Sequence, residues 1–308
     1  MSVETHPESP GDHAAMQAMR EMLAGLPTLE FAPQSRQAFD ALMEQTPVAD
    51  SVSFEAATVG AAAGWWCRPA TSNTGAAILY FHGGAYVLGS AIAHRHFVSQ
   101  IVKRAGVPAF LTDYRLAPEH AFPAAVEDAQ SAFAGLVEMG YETIALAGDS
   151  AGGGLALSLL ALVAAQARQG KGVMPRCAAL MSPWTDLALT GGSMITRAGA
   201  DPLVKRAELK KAADLYLKGG DPTDPRASPL YRDLGGLPPL LVHVGEDEIL
   251  LDDSRRVVEA ATGAGGRAAL HIWEGMTHVF PSNLSQLQAA NEALDMVGAF
   301  IRKNLQAG

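Results

Sequence analysis

Six short apolar runs alternate with stretches of helical spacing along most of this chain, and that rhythm constrains the fold more than any other feature. The runs are AAILYFH (76–82), VPAFLTDY (107–114), TIALAG (143–148), CAALMSP (177–183), PLLVHVG (239–245) and AALHIWEG (268–275). The helical stretches are His94–Ala105, Ala124–Met139, Gly153–Gln169, Asp253–Ala264 and Ala289–Leu305. Strands that are apolar throughout, and separated by helices, predict an α/β fold whose mostly parallel sheet carries helices on both faces. Upstream, VSFEAATV and AGWWCRP read as two strands around a Gly/Ala turn, and helical spacing covers Ala14–Leu26 and Arg36–Gln45. The rhythm breaks once. Asp186–Asp224 contains helix material but no strand, between Gly191–Gly192 and the turn-rich DPTDPRASP. An insertion of this kind between two core strands is a natural lid over an active site.

A chain of 308 residues, 48% hydrophobic and 18% charged, can bury the core that such a sheet needs. The net charge of −9 argues against nucleic-acid or anionic-membrane partners, which select for clustered Lys and Arg. Cys67 and Cys177 lie far apart beside apolar residues and read as buried free thiols of a reducing compartment. The N-terminus is acidic where a signal peptide is basic, and no run is long enough to span a bilayer, so the expected location is cytoplasmic without membrane insertion.

TIALAGDSAGGG is the stretch richest in chemistry. A strand runs straight into a helix, and Gly148-Asp149-Ser150-Ala151-Gly152 fits G-x-S-x-G. In that context Ser150 is a nucleophile on a strained turn at the sheet's C-terminal edge, next to a helix N-terminus that favours negative charge. AAILYFHGGAYVLGS supplies a second element. The chain leaves a strand at Phe81 and turns through His82-Gly83-Gly84-Ala85, where backbone N–H groups can hold the alkoxide formed in acyl transfer. Gly83, Gly84 and Ala85 are the candidate oxyanion donors, with Ala151 as a further donor. Tyr86 and Leu88, just past the turn, are candidate pocket residues; packing against the cap is the alternative reading.

HGGAY, DYRLAPEHAFPAAVEDA (113–129), GDSAGG, SPWTDL and GMTHVF, in that order, resemble the hormone-sensitive-lipase family of α/β-hydrolase esterases (the bacterial family IV) from about Leu79 to the C-terminus. The resemblance implies an α/β-hydrolase fold with an eight-stranded sheet, a helical cap made of an N-terminal part at 1–48 and the insertion at 186–224 over an α/β core at 49–185 and 225–308, ester hydrolysis without a cofactor, and a homodimer. One departure is Ala85, where the family usually carries a third glycine; an N–H donor survives the change, but a positive φ there would strain an alanine.

The fold places its residues in the order Ser…acid…His. Of nine histidines, His6 and His13 belong to an N-terminus expected to be floppy, and His120 to the APEH turn. His94 and His96 form H-x-H without an acidic or Cys partner, so no metal site is expected. His243 and His271 sit inside strands. His278 follows the last strand in a loop, and GMTHVF matches the family's histidine motif, which makes it the candidate base. For the acid, VGEDEILLDDS offers five carboxylates in eleven residues. Asp252 and Asp253 read as helix-start residues, one as N-cap and one as a first-turn charge. Glu246 lies too close to the strand. Asp247 and Glu248 remain. The family pattern acid-x-Leu-x-Asp fits Glu248-Ile249-Leu250-Leu251-Asp252 and implies Glu248, with Asp247 as the alternative acid.

The expected function is a serine carboxylesterase acting on small-molecule esters of short to medium chain length through Ser150, His278 and Glu248. A lactone hydrolase, an amidase or peptidase on the same fold, and a non-catalytic ligand receptor are the rival readings.

Overall fold

The computed structural model describes residues 2–26, 29–71 and 75–306. They form a nine-stranded sheet of β1 (Ser2–His6), β2 (Val52–Val59), β3 (Ala62–Pro69), β4 (Ala76–Phe81), β5 (Ala109–Thr112), β6 (Thr143–Asp149), β7 (Cys177–Met181), β8 (Leu240–Gly245) and β9 (Ala268–Trp273). The spatial order is β1-β9-β8-β7-β6-β4-β5-β3-β2. All pairs are parallel except β2–β3 and β3–β5. The helices are α1 (Pro10–Ala24), α2 (Arg36–Met43), α3 (Ala91–Ala105), α4 (Ala124–Glu138), α5 (Ala151–Ala167), α6 (Ser193–Thr196), α7 (Arg206–Leu217), α8 (Leu251–Gly263) and α9 (Gln288–Gln306).

The apolar runs are explained by two-sided burial. Ala77, Leu79 and Phe81 of β4, with Ile144 and Leu146 of β6, belong to the core layer shared with α4, α5 and α8. Their neighbours Ile78, Tyr80, Ala145 and Ala147 pack into the opposite layer with α3 and α9. Each face of a central strand is thus apolar, and no polar alternation survives. No helix among the described residues is long and apolar enough to cross a membrane.

The expectation of eight strands is corrected to nine. The N-terminus is not floppy, because Ser2–His6 pairs in parallel with the free edge of β9. SVETH carries no apolar periodicity and is mostly exposed, so only this pairing makes it a strand. The stretch 1–48, expected to be cap material throughout, therefore begins inside the sheet. A second correction concerns α8. Its N-cap is Leu250, so neither Asp252 nor Asp253 caps it, and both fall in its first turn.

Register sets the functional edge. Phe81 lies beside Gly148, Asp149 beside Met181, Met181 beside His243, and Gly245 beside Trp273. The segments leaving β4, β6, β7, β8 and β9 consequently emerge side by side at the carboxyl end of the sheet, where ligands of open α/β folds bind.

One long-range helix cap ties the N-terminus to the C-terminal helix. Asp12 of α1 is buried and accepts from Gln288 N at 2.7 Å and Ala289 N at 3.2 Å, the free donors that open α9. Asp12→Ala is expected to cost about 1–2 kcal/mol of unfolding free energy, read as a lower urea midpoint at unchanged m-value. An unchanged midpoint would show that the cap contributes nothing.

Candidate active site

β6 delivers Ser150 directly into α5, and the turn is tight enough to force Ser150 to φ 53° and ψ −123°. A non-glycine residue held there costs on the order of 1–3 kcal/mol. Surrounding bonds enforce it: Ser150 N donates to Met181 O at 2.9 Å, and Ser150 O accepts from Trp184 N at 2.9 Å and Gly154 N at 3.1 Å. Gly152 has to be glycine because a Cβ there would sit 2.1 Å from Phe81 O. Strand β4 and helix α5 therefore approach closely enough to set the His82–Ala85 turn beside the serine.

That turn has an asymmetric hydrogen-bond economy. Its first three carbonyls are occupied: His82 O accepts from Tyr114 Oη at 2.8 Å, Gly83 O lies 2.7 Å from His82 Nδ1, and Gly84 O accepts from Val87 N and Leu88 N at 3.0 and 2.8 Å. The N–H groups of Gly83, Gly84, Ala85 and Ala151 have no acceptor among the described residues. Four donors are thus left open while the carbonyls of His82, Gly83 and Gly84 are fixed, which is the electrostatic arrangement that holds an anion. Gly84 adopts φ 115°, and a Cβ on it would lie 2.2 Å from Leu88 O. Ala85 does take a positive φ, 55°, and Tyr86 follows at 63°, so the alanine accepts the left-handed strain that a glycine there would avoid.

His278 sits on the loop after β9, with Val279 at φ 50°. Its Nε2 is 2.9 Å from Ser150 Oγ and its Nδ1 is 2.6 Å from Glu248 Oε2. Nδ1–H donating to the carboxylate leaves Nε2 as acceptor for the serine hydroxyl, the tautomer that a general base requires. Burial works against a charged ring here. The Glu248 hydrogen bond and charge, with Asp201 and Asp149 farther off, outweigh it, and the His278 pKa stands above the usual imidazole value.

Glu248 is fully buried, and its other oxygen accepts from Ser182 Oγ and Gly245 N, both at 2.8 Å. Asp247 does not approach His278. It binds Arg20 at 2.7 Å and lies 3.7 Å from Arg197. Burial holds the Asp247 pKa above the ordinary carboxylate value despite those two arginines. Among the five acids of VGEDEILLDDS, Glu248 is thus the one brought to the histidine.

Other expected residues divide. Tyr86 stacks on Tyr216 of α7 with centroids 4.0 Å apart and planes at 6°. Leu88 is fully enclosed, and its carbonyl abuts Gly84, where an added Cβ would lie 2.2 Å from it. His94 and His96 do not converge as ligands; each ring faces a backbone carbonyl, of Ser90 and Glu44 respectively. Ser182 was missed. Its Oγ donates to Glu248 and accepts from Val279 N at 3.0 Å, bracing the acid against the histidine loop. The motif SPWTDL marked the region, but only the φ of 47° at Ser182 aims the hydroxyl inward.

Comparison with known proteins agrees with this architecture. An α/β-hydrolase-fold family profile matches residues 78–282. An acetyl-hydrolase of Streptomyces hygroscopicus is 43% identical over 248 residues, 80% of this chain and 81% of that protein. An esterase of the bacterial hormone-sensitive lipase family superimposes with a TM-score of 0.88 at 38% identity, covering 97% of this chain and 99% of the other. The chain belongs to the hormone-sensitive-lipase family of α/β-hydrolase carboxylesterases. A second member, a hormone-sensitive lipase from a metagenome library, gives a TM-score of 0.89 at 32% identity over 98% of this chain and all of that one.

In this esterase Asp247→Asn is expected to leave kcat within a few-fold, whereas Glu248→Gln lowers it by about 10³–10⁴. Steady-state kinetics on p-nitrophenyl butyrate decide; the reverse pattern would make Asp247 the acid.

Proposed function

We propose that the protein is a serine carboxylesterase that hydrolyses short- to medium-chain esters of small alcohols through Ser150, His278 and Glu248. The observation that carries this reading is the unbroken hydrogen-bonded line from a strained Ser150, through His278, to a buried Glu248. In the first half-reaction Ser150 Oγ bonds to the ester carbonyl carbon while its proton passes to His278 Nε2. The tetrahedral oxyanion rests on the free N–H groups of Gly83, Gly84, Ala85 and Ala151. Collapse breaks the bond to the alcohol oxygen, which takes the proton back from His278. Water then attacks the acyl-enzyme and gives its proton to His278; collapse breaks the bond to Ser150 Oγ, which takes that proton back, and the carboxylic acid leaves. Every proton has a carrier within the chain, so these steps call for no cofactor.

Residues 7–48, including α1 and α2, and the 186–224 insertion are proposed to form the cap. Two arginines support this by tying that material to the site. Arg20 of α1 binds Asp247, Gly275 O and Ala200 O, and Arg36 of α2 binds Val87 O and Ala117 O beside the oxyanion turn. The short acyl preference is supported by the acetyl-hydrolase relative. Retention of a fully bonded His278 favours an enzyme over a non-catalytic receptor.

Purified protein should turn over p-nitrophenyl acetate and butyrate much faster than the palmitate ester or matched anilides, and Ser150→Ala should lower kcat by roughly 10⁴–10⁶. Faster anilide turnover would make the protein an amidase.

His278 acts as a base only when neutral, so its raised pKa places the acid limb of kcat/KM above the ~6.5 of free imidazole, and activity is lost as pH falls through that limb. Ser182→Ala leaves Glu248 short of one buried donor and is expected to lower kcat roughly ten- to hundredfold, the equivalent of ~1–3 kcal/mol. KM should change little, and the limb should shift. An unaltered pH profile with normal kcat would remove Ser182 from the machinery.

A further inference from the structure

At the edge of the sheet, four strands from the β6 that delivers Ser150, the added strand β1 creates a second cluster of reactive side chains. Glu4 pairs with His271 and His6 with Trp273 in the β1–β9 ladder. Residues two apart on a strand share a face, so Glu4 and His6 project beside His271 and Trp273 on one side of the sheet. His6 Nε2 lies 2.8 Å from His271 Nδ1, and Glu4 Oε2 lies 3.7 Å from the same nitrogen. Among the described residues, these three are the one group of His, Cys, Asp or Glu whose ligand atoms all fall within 4.8 Å of each other.

We propose that Glu4, His6 and His271 bind a divalent first-row transition cation of the Zn(II) type, clamping β1 onto β9. Both rings are braced by aromatic neighbours. His6 stacks on Trp273 at 3.9 Å and 13°, and His271 stacks on His243 at 5.0 Å and 20°. Trp273 is itself fixed by donating from Nε1 to His243 Nδ1 at 3.0 Å. This second layer of contacts holds ligand planes in place as it does in metal sites generally. At present one proton must sit between His6 Nε2 and His271 Nδ1. Displacing it by an ion requires the nitrogens to move apart to about 3.3 Å, the edge of a tetrahedron with ~2.0–2.1 Å bonds, and the two rings, which now point at each other with centroids 5.1 Å apart and planes at 26°, to tilt toward a common point. The Glu4 carboxylate supplies the third ligand and the exposed edge of β1 leaves the fourth position to water. Two imidazoles and one carboxylate suit Zn(II), Ni(II) or Cu(II) and disfavour Mg(II) and Ca(II), which select oxygen. The clamp would reach the active edge indirectly, since Glu274 N, at the start of the loop carrying His278, donates to His6 O at 3.0 Å.

The test is isothermal titration of the EDTA-treated full chain with ZnCl₂ and, separately, MgCl₂. We expect one saturable Zn(II) site per chain and no Mg(II) binding at the same concentrations. His6→Gln and His271→Gln should each weaken Zn(II) binding at least about tenfold, whereas His13→Gln, in the exposed His13–Glu8 pair, should not. Zn(II) should also raise the Tm of the wild type and not that of His6→Gln. His6 ends an edge strand, so its variant keeps the test decisive if His271→Gln fails to fold. Absence of saturable Zn(II) binding, or binding that His6→Gln leaves unchanged, would overturn the proposal.

Discussion

A carboxylate with no access to water has to receive hydrogen bonds from the protein, and the Glu248 side chain is where this requirement organises the whole functional edge. An unpaired buried carboxylate is among the costliest groups a fold can contain. Here Ser182 Oγ and Gly245 N serve one oxygen and His278 Nδ1 serves the other. The donors come from the end of β8, the segment after β7 and the loop after β9, so the three neighbouring strands must hold their register for Glu248 to be satisfied. The same bonds fix the His278 ring, and through it the 2.9 Å contact to Ser150.

The remaining acids of that loop explain why so many carboxylates are crowded together. Glu246 binds Arg197 at 2.9 Å, Asp247 binds Arg20, and Asp252 accepts from Ser193 N at 2.8 Å. Asp253 is fully buried and accepts from Thr185 N and Asp186 N at 2.7 and 2.9 Å. Burial raises its pKa to about 7, with the Asp186 charge adding to the effect and the two backbone donors opposing it. From the other side, Asp201 Oδ2 accepts from Ile249 N at 3.0 Å. The loop that carries Glu248 is thus the junction at which α1 and the 186–224 insertion are referenced to the sheet. A change in either would be felt at the acid before it was felt at the serine.

Sequence patterning revealed those parts of the fold that arise locally. Runs such as TIALAG and CAALMSP announce strands buried on both faces, and the glycines around Ser150 announce the elbow, because each depends on neighbours within a few residues. Choosing Glu248 over Asp247 took a motif register, since both are acids in the same loop and only the direction of the turn after Gly245 separates them. Asp253 looked like a helix-start charge, and its actual partners lie 67 and 68 residues away. β1 and Ser182 were illegible for a related reason. SVETH becomes a strand only against the free edge of β9, and the Ser182 hydroxyl gains a purpose only once β8 and the His278 loop are beside it. Contacts of long sequence separation leave little trace in local periodicity.

The most direct test of this account is a crystal structure of the esterase with a small alkyl phosphonate bonded covalently to Ser150, a tetrahedral stand-in for the acyl-transfer intermediate. The account predicts the phosphonyl oxygen within about 2.7–3.1 Å of backbone nitrogens from the Gly83–Ala85 turn and Ala151, with His278 still bound to Glu248 and Asp247 still on Arg20. An adduct whose oxygen points away from that turn, or whose His278 has turned to Asp247, would contradict it.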